Sequence, residues 1–138
     1  MTRILIVEDN EDARLALSTI LEDAGYEVVE ASDGSEVPDR VLKDKPDLIL
    51  LDIIMPRIDG FDVLAMLKAD ERTRDVPVVM VTAKGRSSDL HKARTLGAID
   101  YINKPWADGE VELRVGWILR KQRRGAPGRT PTGGLPAV

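Results

Sequence analysis

Residues 47–56 of the chain read Asp-Leu-Ile-Leu-Leu-Asp-Ile-Ile-Met-Pro, and this stretch decides the fold. Its four successive apolar residues predict a strand that is buried on both faces, as in the interior of a parallel sheet. The strand runs into Asp52, and Pro56 then turns the chain into a loop. Because a buried carboxylate is costly, Asp52 either caps a turn or helix or is a reactive or metal-binding group.

A strand followed by a helix occurs five times along the chain, with short connections. Apolar runs predict strands over residues 4–7, 26–31, 47–51, 76–81 and 99–102. Apolar periodicity, caps and breakers predict helices between Asn10 and Gly25 and over about 35–45, 61–69, 86–96 and 108–122. An early proline, Pro38, predicts that the second helix starts late, because proline is tolerated only in a first turn.

The composition of the strands predicts their places in one sheet. The first, third and fourth are continuous apolar runs and should be central, whereas the second and fifth are mixed and should lie at the edges. With right-handed crossovers, this favours an α/β fold: a flavodoxin-like doubly wound five-stranded parallel sheet in the order 2-1-3-4-5 with five helices.

Length and composition limit the class of protein. The 138 residues suffice for one domain with a sizeable core. No stretch approaches the roughly 18–20 apolar residues of a membrane span, and the apolar run at the N-terminus is too short for a signal peptide. Cysteine is absent, which excludes disulfides and thiolate metal sites. These features predict a cytoplasmic location with no membrane partner.

Charge is distributed unevenly along the chain. All 24 acidic residues and 15 of the 20 basic residues precede residue 120, so residues 1–119 carry a net charge of −9. An acidic body argues against direct nucleic-acid binding by the folded part. Residues 125–138 hold four Gly and three Pro. We therefore predict a domain over residues 1–122 and a flexible tail or linker over 123–138.

Polar side chains follow four of the predicted strands: Glu8 and Asp9, then Asp52, Thr82 and Lys104. Parallel strands end at one edge of a sheet, so these groups should meet there. Three converging carboxylates stay ionised if a hard cation lies between them, and oxygen ligands alone select Mg²⁺ or Mn²⁺. The ammonium and the hydroxyl would complete a site for phosphoryl, with Asp52 as the nucleophile that forms an aspartyl-phosphate.

Each of these residues has a simpler explanation when it is taken alone. An acidic pair after a strand is usually a solvated helix start, Asp52 is compatible with a cap, and Lys104-Pro105 is a weak signal. Five residues of a compatible chemical set at the same edge are a much stronger indication of function.

Residues 2–122 resemble the response-regulator receiver domain of two-component phosphorelay signalling. The matching motifs lie in residues 4–10, 47–56 with Asp59-Gly60, 77–83 and 97–105. The resemblance implies that Asp52 is the phosphoacceptor and that Mg²⁺ is bound by Asp9, Asp52 and the backbone carbonyl of Ile54, with Glu8 acting through water. It further implies that Lys104 contacts the phosphoryl group, that Thr82 is the switch hydroxyl and that the aromatic ring of Tyr101 swings inward with it. A cis bond before Pro105 is also common in the family.

The resemblance implies the partners as well. A histidine kinase or histidine phosphotransfer protein would donate the phosphoryl group, and the face of helix 4, strand 5 and helix 5 would change shape and bind a downstream output protein or domain. The chain would then not be an enzyme. Two alternatives stay open: a degenerate receiver that binds partners without phosphorylation, and an aspartyl-phosphate phosphatase, which needs an acid where Ile54 stands.

Several positions depart from the family pattern or tune it. Glu8 replaces the Asp common at the first acidic position, and Ile54 and Lys84 occupy positions that control loss of the phosphoryl group. An apolar Ile54 cannot hydrogen-bond an attacking water, which predicts slow self-dephosphorylation.

Leu113 and Trp117 are spaced i, i+4 on the last helix. They either widen the core stripe of that helix or, if exposed, indicate a homodimer or partner contact.

Overall fold

The computed structural model of the chain describes residues 1–83 and 87–124. The strands are β1 (Arg3–Val7), β2 (Glu27–Ala31), β3 (Leu48–Asp52), β4 (Val78–Ala83) and β5 (Asp100–Lys104). The helices are α1 (Glu11–Asp23), α2 (Val37–Asp44), α3 (Gly60–Ala69), α4 (Ser87–Thr95) and α5 (Glu110–Arg124). All the strand pairs are parallel and the sheet order is β2-β1-β3-β4-β5, which confirms the predicted fold class.

The sheet separates two hydrophobic clusters. Along β3, Ile49 and Leu51 belong to the cluster covered by α2, α3 and α4, whereas Leu48 and Leu50 belong to the cluster covered by α1 and α5. All four side chains are at most 1% exposed. This alternation explains why β3 is apolar at every position from Leu48 to Leu51, since helices cover both faces of a central strand.

The helix starts follow from local sequence. The side chain of Asn10 accepts a hydrogen bond from the backbone of Ala13, and that of Asp59 accepts one from Asp62, so both act as N-caps. A single 3-10 turn at Gly34–Glu36 precedes α2, which has Pro38 in its first turn, as the sequence predicts.

Some predicted bounds differ from the observed ones. β4 begins at Val78 rather than residue 76, and β5 extends two residues further, to Lys104. α5 begins at Glu110 and runs through Arg124, two residues past the predicted end of the domain. Residues 125–138 of the predicted tail, and Lys84, lie outside the described residues. Among the residues that are described, no helix has the length and apolar character needed to cross a bilayer.

Candidate functional site

The carboxyl ends of the strands bring three acidic side chains together. Glu8 and Asp9 directly follow β1, and Asp52 is the last residue of the neighbouring β3. One carboxylate oxygen from each of the three lies within 4.8 Å of the other two. Glu8 and Asp52 are buried and Asp9 is exposed, so the cluster opens to solvent on one side.

Lys104, the last residue of β5, reaches into this cluster. Its Nζ atom lies 2.6 Å from Oε1 of Glu8 and 3.3 Å from Oδ2 of Asp52. The Glu8 side chain is 1% exposed and the Asp52 side chain 7%, so both carboxylates depend on this ammonium for charge compensation.

Burial and charge compete in setting the protonation of the site. Burial, and after it the neighbouring Glu8 carboxylate, raise the pKa of Asp52 to about 6 against the opposing effect of Lys104. Burial lowers the pKa of Lys104, but its contacts with Glu8 and Asp52 outweigh burial and leave that pKa above the ordinary value. Asp52 is therefore a carboxylate whose negative charge is only partly compensated by the protein.

Backbone donors orient the two buried carboxylates. The N–H of Asn10 donates to Oε2 of Glu8 over 3.1 Å, and the N–H of Ile54 donates to Oδ1 of Asp52 over 3.3 Å. Asn10 lies in the loop that follows β1, and Ile54 lies in the loop that follows β3. The second oxygen of each carboxylate faces Lys104.

Gly60 permits the first turn of α3 to lie directly against the backbone of Asp52 and Ile53. A Cβ atom at this position would lie 2.2 Å from the carbonyl oxygen of Asp52 and 2.7 Å from the Cα of Ile53. The backbone N–H of Gly60 donates to the carbonyl of Ile53 over 2.7 Å. The first turn of α3 thus packs directly on the backbone of the central carboxylate, which no residue with a side chain allows without a shift.

The two residues predicted to act in the switch lie on adjacent strands. Thr82 is 3% exposed, on β4, and pairs in register with Asn103 of β5. Tyr101 is half-buried and packs against the cluster covered by α2, α3 and α4. The Lys104-Pro105 bond is cis, as the resemblance implies.

The donor set fits a hard divalent cation. The three side chains offer oxygen atoms only, close enough to share one ion, and Asp9 gives access from solvent. A backbone carbonyl from residue 54 would add a neutral oxygen, while the side chain of Ile54 is 69% exposed and points away from the core.

Sequence reasoning missed one charged residue of the site and left one pair of apolar residues open. Arg14 contacts the backbone of the acidic pair, but its place on α1 gave no signal, because an arginine on a helix is usually solvated.

Leu113 and Trp117 are 69% and 53% exposed, so the alternative of a wider core stripe is wrong. The Lys121 ammonium lies 4.6 Å from the centroid of the Trp117 ring.

Comparison with known proteins gives a consistent result. A family model described as the response regulator receiver domain matches residues 4–115. The chain is 42% identical over 124 residues to the DNA-binding dual master transcriptional regulator RpaA of Synechocystis, which covers 90% of this chain and 52% of RpaA. It is 40% identical over 118 residues to the phosphate regulon transcriptional regulatory protein PhoB of Pseudomonas aeruginosa, covering 86% and 52% of the two chains.

Solved structures agree with these relatives. A putative response regulator from Chloroflexus aurantiacus superposes with a TM-score of 0.82 at 34% identity, covering 86% of this chain and 98% of the other. Chemotaxis protein CheY4 of Vibrio cholerae gives a TM-score of 0.78 at 28% identity, covering 86% and 98%. The chain thus spans about half the length of the curated relatives it matches, but nearly the full length of these structures.

Proposed function

Because the chain belongs to the response regulator receiver domain family of two-component signalling, we propose that it is a phosphoacceptor module and that Asp52 is the residue that accepts the phosphoryl group. The observation that carries the proposal is the environment of Asp52. It is a buried carboxylate at a strand end, 3.3 Å from a lysine ammonium and beside two further carboxylates. This combination suits a nucleophile toward phosphorus better than it suits a structural cap.

In the proposed reaction, a carboxylate oxygen of Asp52 attacks the phosphorus atom of a phosphohistidine on a histidine kinase or phosphotransfer protein. A P–O bond forms, the P–N bond breaks, and the imidazole leaves as the neutral base after it takes up a proton. Lys104 would turn its ammonium toward the phosphoryl oxygens and offset part of their charge. This role is compatible with its position between Glu8 and Asp52.

We further propose that Asp9, Asp52 and the backbone carbonyl of Ile54 hold Mg²⁺, or Mn²⁺ in its place, with Glu8 acting through water. The bound cation would supply positive charge to the phosphoryl oxygens. The oxygen-only donor set and the exposed position of Asp9 support this assignment.

Phosphorylation would act as a population shift between two states. Thr82 would turn toward the phosphoryl group, and Tyr101 would fill the space that it leaves. The surface of α4, β5 and α5 would then change and bind an output partner, and by linkage that partner would favour phosphorylation. We propose a downstream protein or domain as this partner, with no direct nucleic-acid contact by residues 1–122 and with a cytoplasmic location for the exchange.

A homodimer through the same face is a second proposed partner interaction. Leu113 and Trp117 provide exposed apolar area on α5, and Arg114 beside them pairs with Asp100 of β5 over 3.0 Å. Exposed apolar side chains beside charged pairs are typical of interface patches.

The two alternatives have weaker support. A phosphatase of this type needs a second acid at position 54, where the chain has an exposed isoleucine. A receiver that no longer accepts phosphoryl would have no need to keep Glu8, Asp9, Asp52, Thr82 and Lys104 together. We therefore regard the protein as a signalling component rather than an enzyme.

One labelling experiment tests the proposal. The protein is incubated with Mg²⁺ and acetyl phosphate, and we expect one acid-stable, base-labile phosphoryl group per chain. Removal of the cation with a chelator should abolish the incorporation, and so should Asp52→Asn. Undiminished labelling of Asp52→Asn would show that the acceptor is another residue.

A further inference from the structure

Arg14 lies on α1 behind the acidic pair and contacts the backbone of both residues. Its Nη1 atom donates to the carbonyl oxygen of Glu8 over 2.7 Å, and a longer contact of 3.5 Å joins it to the carbonyl of Asp9. Its Nε atom donates to Oε1 of Glu30 on β2 over 3.1 Å. The Arg14 side chain is only 18% exposed, so this guanidinium is held in place.

The two carbonyls that Arg14 binds need an external donor. β1 ends at Val7 and α1 begins at Glu11, so Glu8 and Asp9 belong to neither element. The N–H of Glu8 still bonds to Ala31 of β2 over 3.1 Å, but this bond fixes only one side of the residue. Nη1 contacts both carbonyls while Nε of the same rigid, planar group is held by Glu30, so the direction of Nη1 is fixed. The donors of a lysine ammonium rotate freely and have no second nitrogen to hold them in place.

The structure assigns Arg14 as the positioning residue of the metal site: by fixing the peptide groups of Glu8 and Asp9, it sets the directions of their carboxylates toward Asp52. This inference rests on the proposed function, because it concerns the same carboxylates. Partners that orient metal ligands typically change metal affinity by about 10–100-fold when they are removed.

Charge alone predicts the opposite effect. A positive group near a cation site repels the cation, so removing Arg14 would tighten Mg²⁺ binding if its charge were what mattered. The ion pair with Glu30 already offsets part of that charge. The direction of the change in affinity therefore separates positioning from electrostatics.

Arg40 provides a matched control. It belongs to the same network, since its Nη1 atom donates to the carbonyl of Glu30 over 2.8 Å and its Nε atom pairs with Asp44 over 2.9 Å. No contact joins Arg40 to Glu8 or Asp9 in the part of the chain that the structure describes. Its replacement tests whether the loss of any arginine from this edge of the sheet weakens Mg²⁺ binding.

The experiment is a Mg²⁺ titration of the whole chain, followed through the backbone amide shifts of residues 8–10 and 52–54 by NMR. Arg14→Gln, a change that keeps a good helix former, should raise the Mg²⁺ dissociation constant about tenfold, the lower end of the range for such partners. Arg14→Lys keeps the charge but loses the fork, and should raise it about threefold, between wild type and Arg14→Gln. Arg40→Gln should stay within about twofold of wild type.

Three results would overturn the inference: an Arg14→Gln variant that binds Mg²⁺ as well as or better than wild type, an Arg14→Lys variant equal to wild type, or an equal loss in Arg40→Gln. If Arg14→Gln does not fold, the Arg14→Lys result decides. A wild-type chain that shows no Mg²⁺-dependent shifts at these residues would instead refute the proposed function, so the two failures are distinguishable.

Discussion

Lys104 is held more closely by Glu8 than by Asp52: its ammonium lies 2.6 Å from the first carboxylate and 3.3 Å from the second. Asp52, the proposed phosphoacceptor, therefore makes the longer and weaker contact with the Lys104 ammonium. Burial and the neighbouring Glu8 carboxylate raise the pKa of Asp52 to about 6, and the longer contact with Lys104 does not reverse this. Before any cation binds, the site holds more negative charge than the protein compensates.

The first prediction concerns stability as a function of pH. The pKa of Asp52 is raised from 3.8 to about 6, so the folded state holds this proton more tightly than the unfolded state does. The contribution of Asp52 to stability is thus fully present below pH 3.8 and is lost as the pH rises through about 6. Without Mg²⁺ at pH 7, Asp52→Asn should raise the free energy of unfolding by about 1–3 kcal/mol.

Urea denaturation in the presence of a chelator checks this prediction, and the difference between the variant and wild type should shrink toward pH 4. Glu71→Gln, at an exposed position, serves as the control and should change little at either pH. An Asp52→Asn variant less stable than wild type at pH 7 would contradict the prediction that the buried charge of Asp52 destabilises the folded state.

The second prediction concerns the lysine. Lys104→Met removes the cation between Glu8 and Asp52 and leaves their charges in a buried site. Because Lys104 is half-buried, we expect a loss of about 1–3 kcal/mol in the free energy of unfolding at pH 7, below the loss for fully buried pairs. Lys43→Met on the exposed side of α2 should stay within about 0.5 kcal/mol. Equal effects of the two changes would argue against a compensating role for Lys104.

The third prediction compares two glycines by the same change to alanine. Gly60→Ala places a Cβ atom 2.2 Å from the carbonyl oxygen of Asp52, so the loop or the first turn of α3 must move. We expect a loss of about 2–3 kcal/mol, as for overpacking of a well-packed site. Incorporation of phosphoryl from acetyl phosphate should also fall, since the displaced backbone carries Asp52.

Gly116→Ala should have the opposite sign. A Cβ atom there meets only the end of the Arg120 side chain at 3.4 Å and the Tyr26 hydroxyl at 3.7 Å, within ordinary or nearly ordinary contact distance. Alanine in a helix interior is favoured over glycine by roughly 1 kcal/mol. Thermal denaturation of both variants distinguishes the close packing at Gly60 from a general sensitivity to alanine.

Much of the fold could be predicted because its determinants are local. β3 is apolar at every position from Leu48 to Leu51, and the helices that cover both of its faces explain why. The convergence of Glu8, Asp9, Asp52 and Lys104 also followed from the sequence, since parallel strands must end at one edge.

Other features depended on distances that a sequence does not contain. The pair Asp59-Gly60 is typical of an ordinary turn, and only the packing of α3 on the Asp52 carbonyl shows why a side chain is excluded at Gly60. The same holds for the unequal sharing of Lys104 between Glu8 and Asp52. Whether Leu113 and Trp117 are buried depended on how α5 is rotated against the sheet, which periodicity left open.

The fourth prediction concerns the lifetime of the phosphoryl group. Ile54 is 69% exposed beside Asp52 and has no polar atom in its side chain that could orient an attacking water. We expect Ile54→Asn to shorten the lifetime of the acyl phosphate by about tenfold, less than the roughly 100-fold minimum of a general acid or base, because an asparagine amide orients the water but does not take its proton. Decay of purified phosphoprotein in Mg²⁺ buffer measures this. A wild-type lifetime of only seconds would contradict the prediction of slow self-dephosphorylation.

The most direct measurement maps the modified residue itself. The chain is phosphorylated with acetyl phosphate and Mg²⁺, reduced with borohydride, which converts an aspartyl phosphate to homoserine, and analysed by peptide mass spectrometry. We predict homoserine at position 52 alone, with Asp9 and Glu8 unchanged. Homoserine at Asp9 or at any other aspartate, or its absence from position 52 in a chain that has taken up phosphoryl, would contradict the assignment of Asp52 as the acceptor.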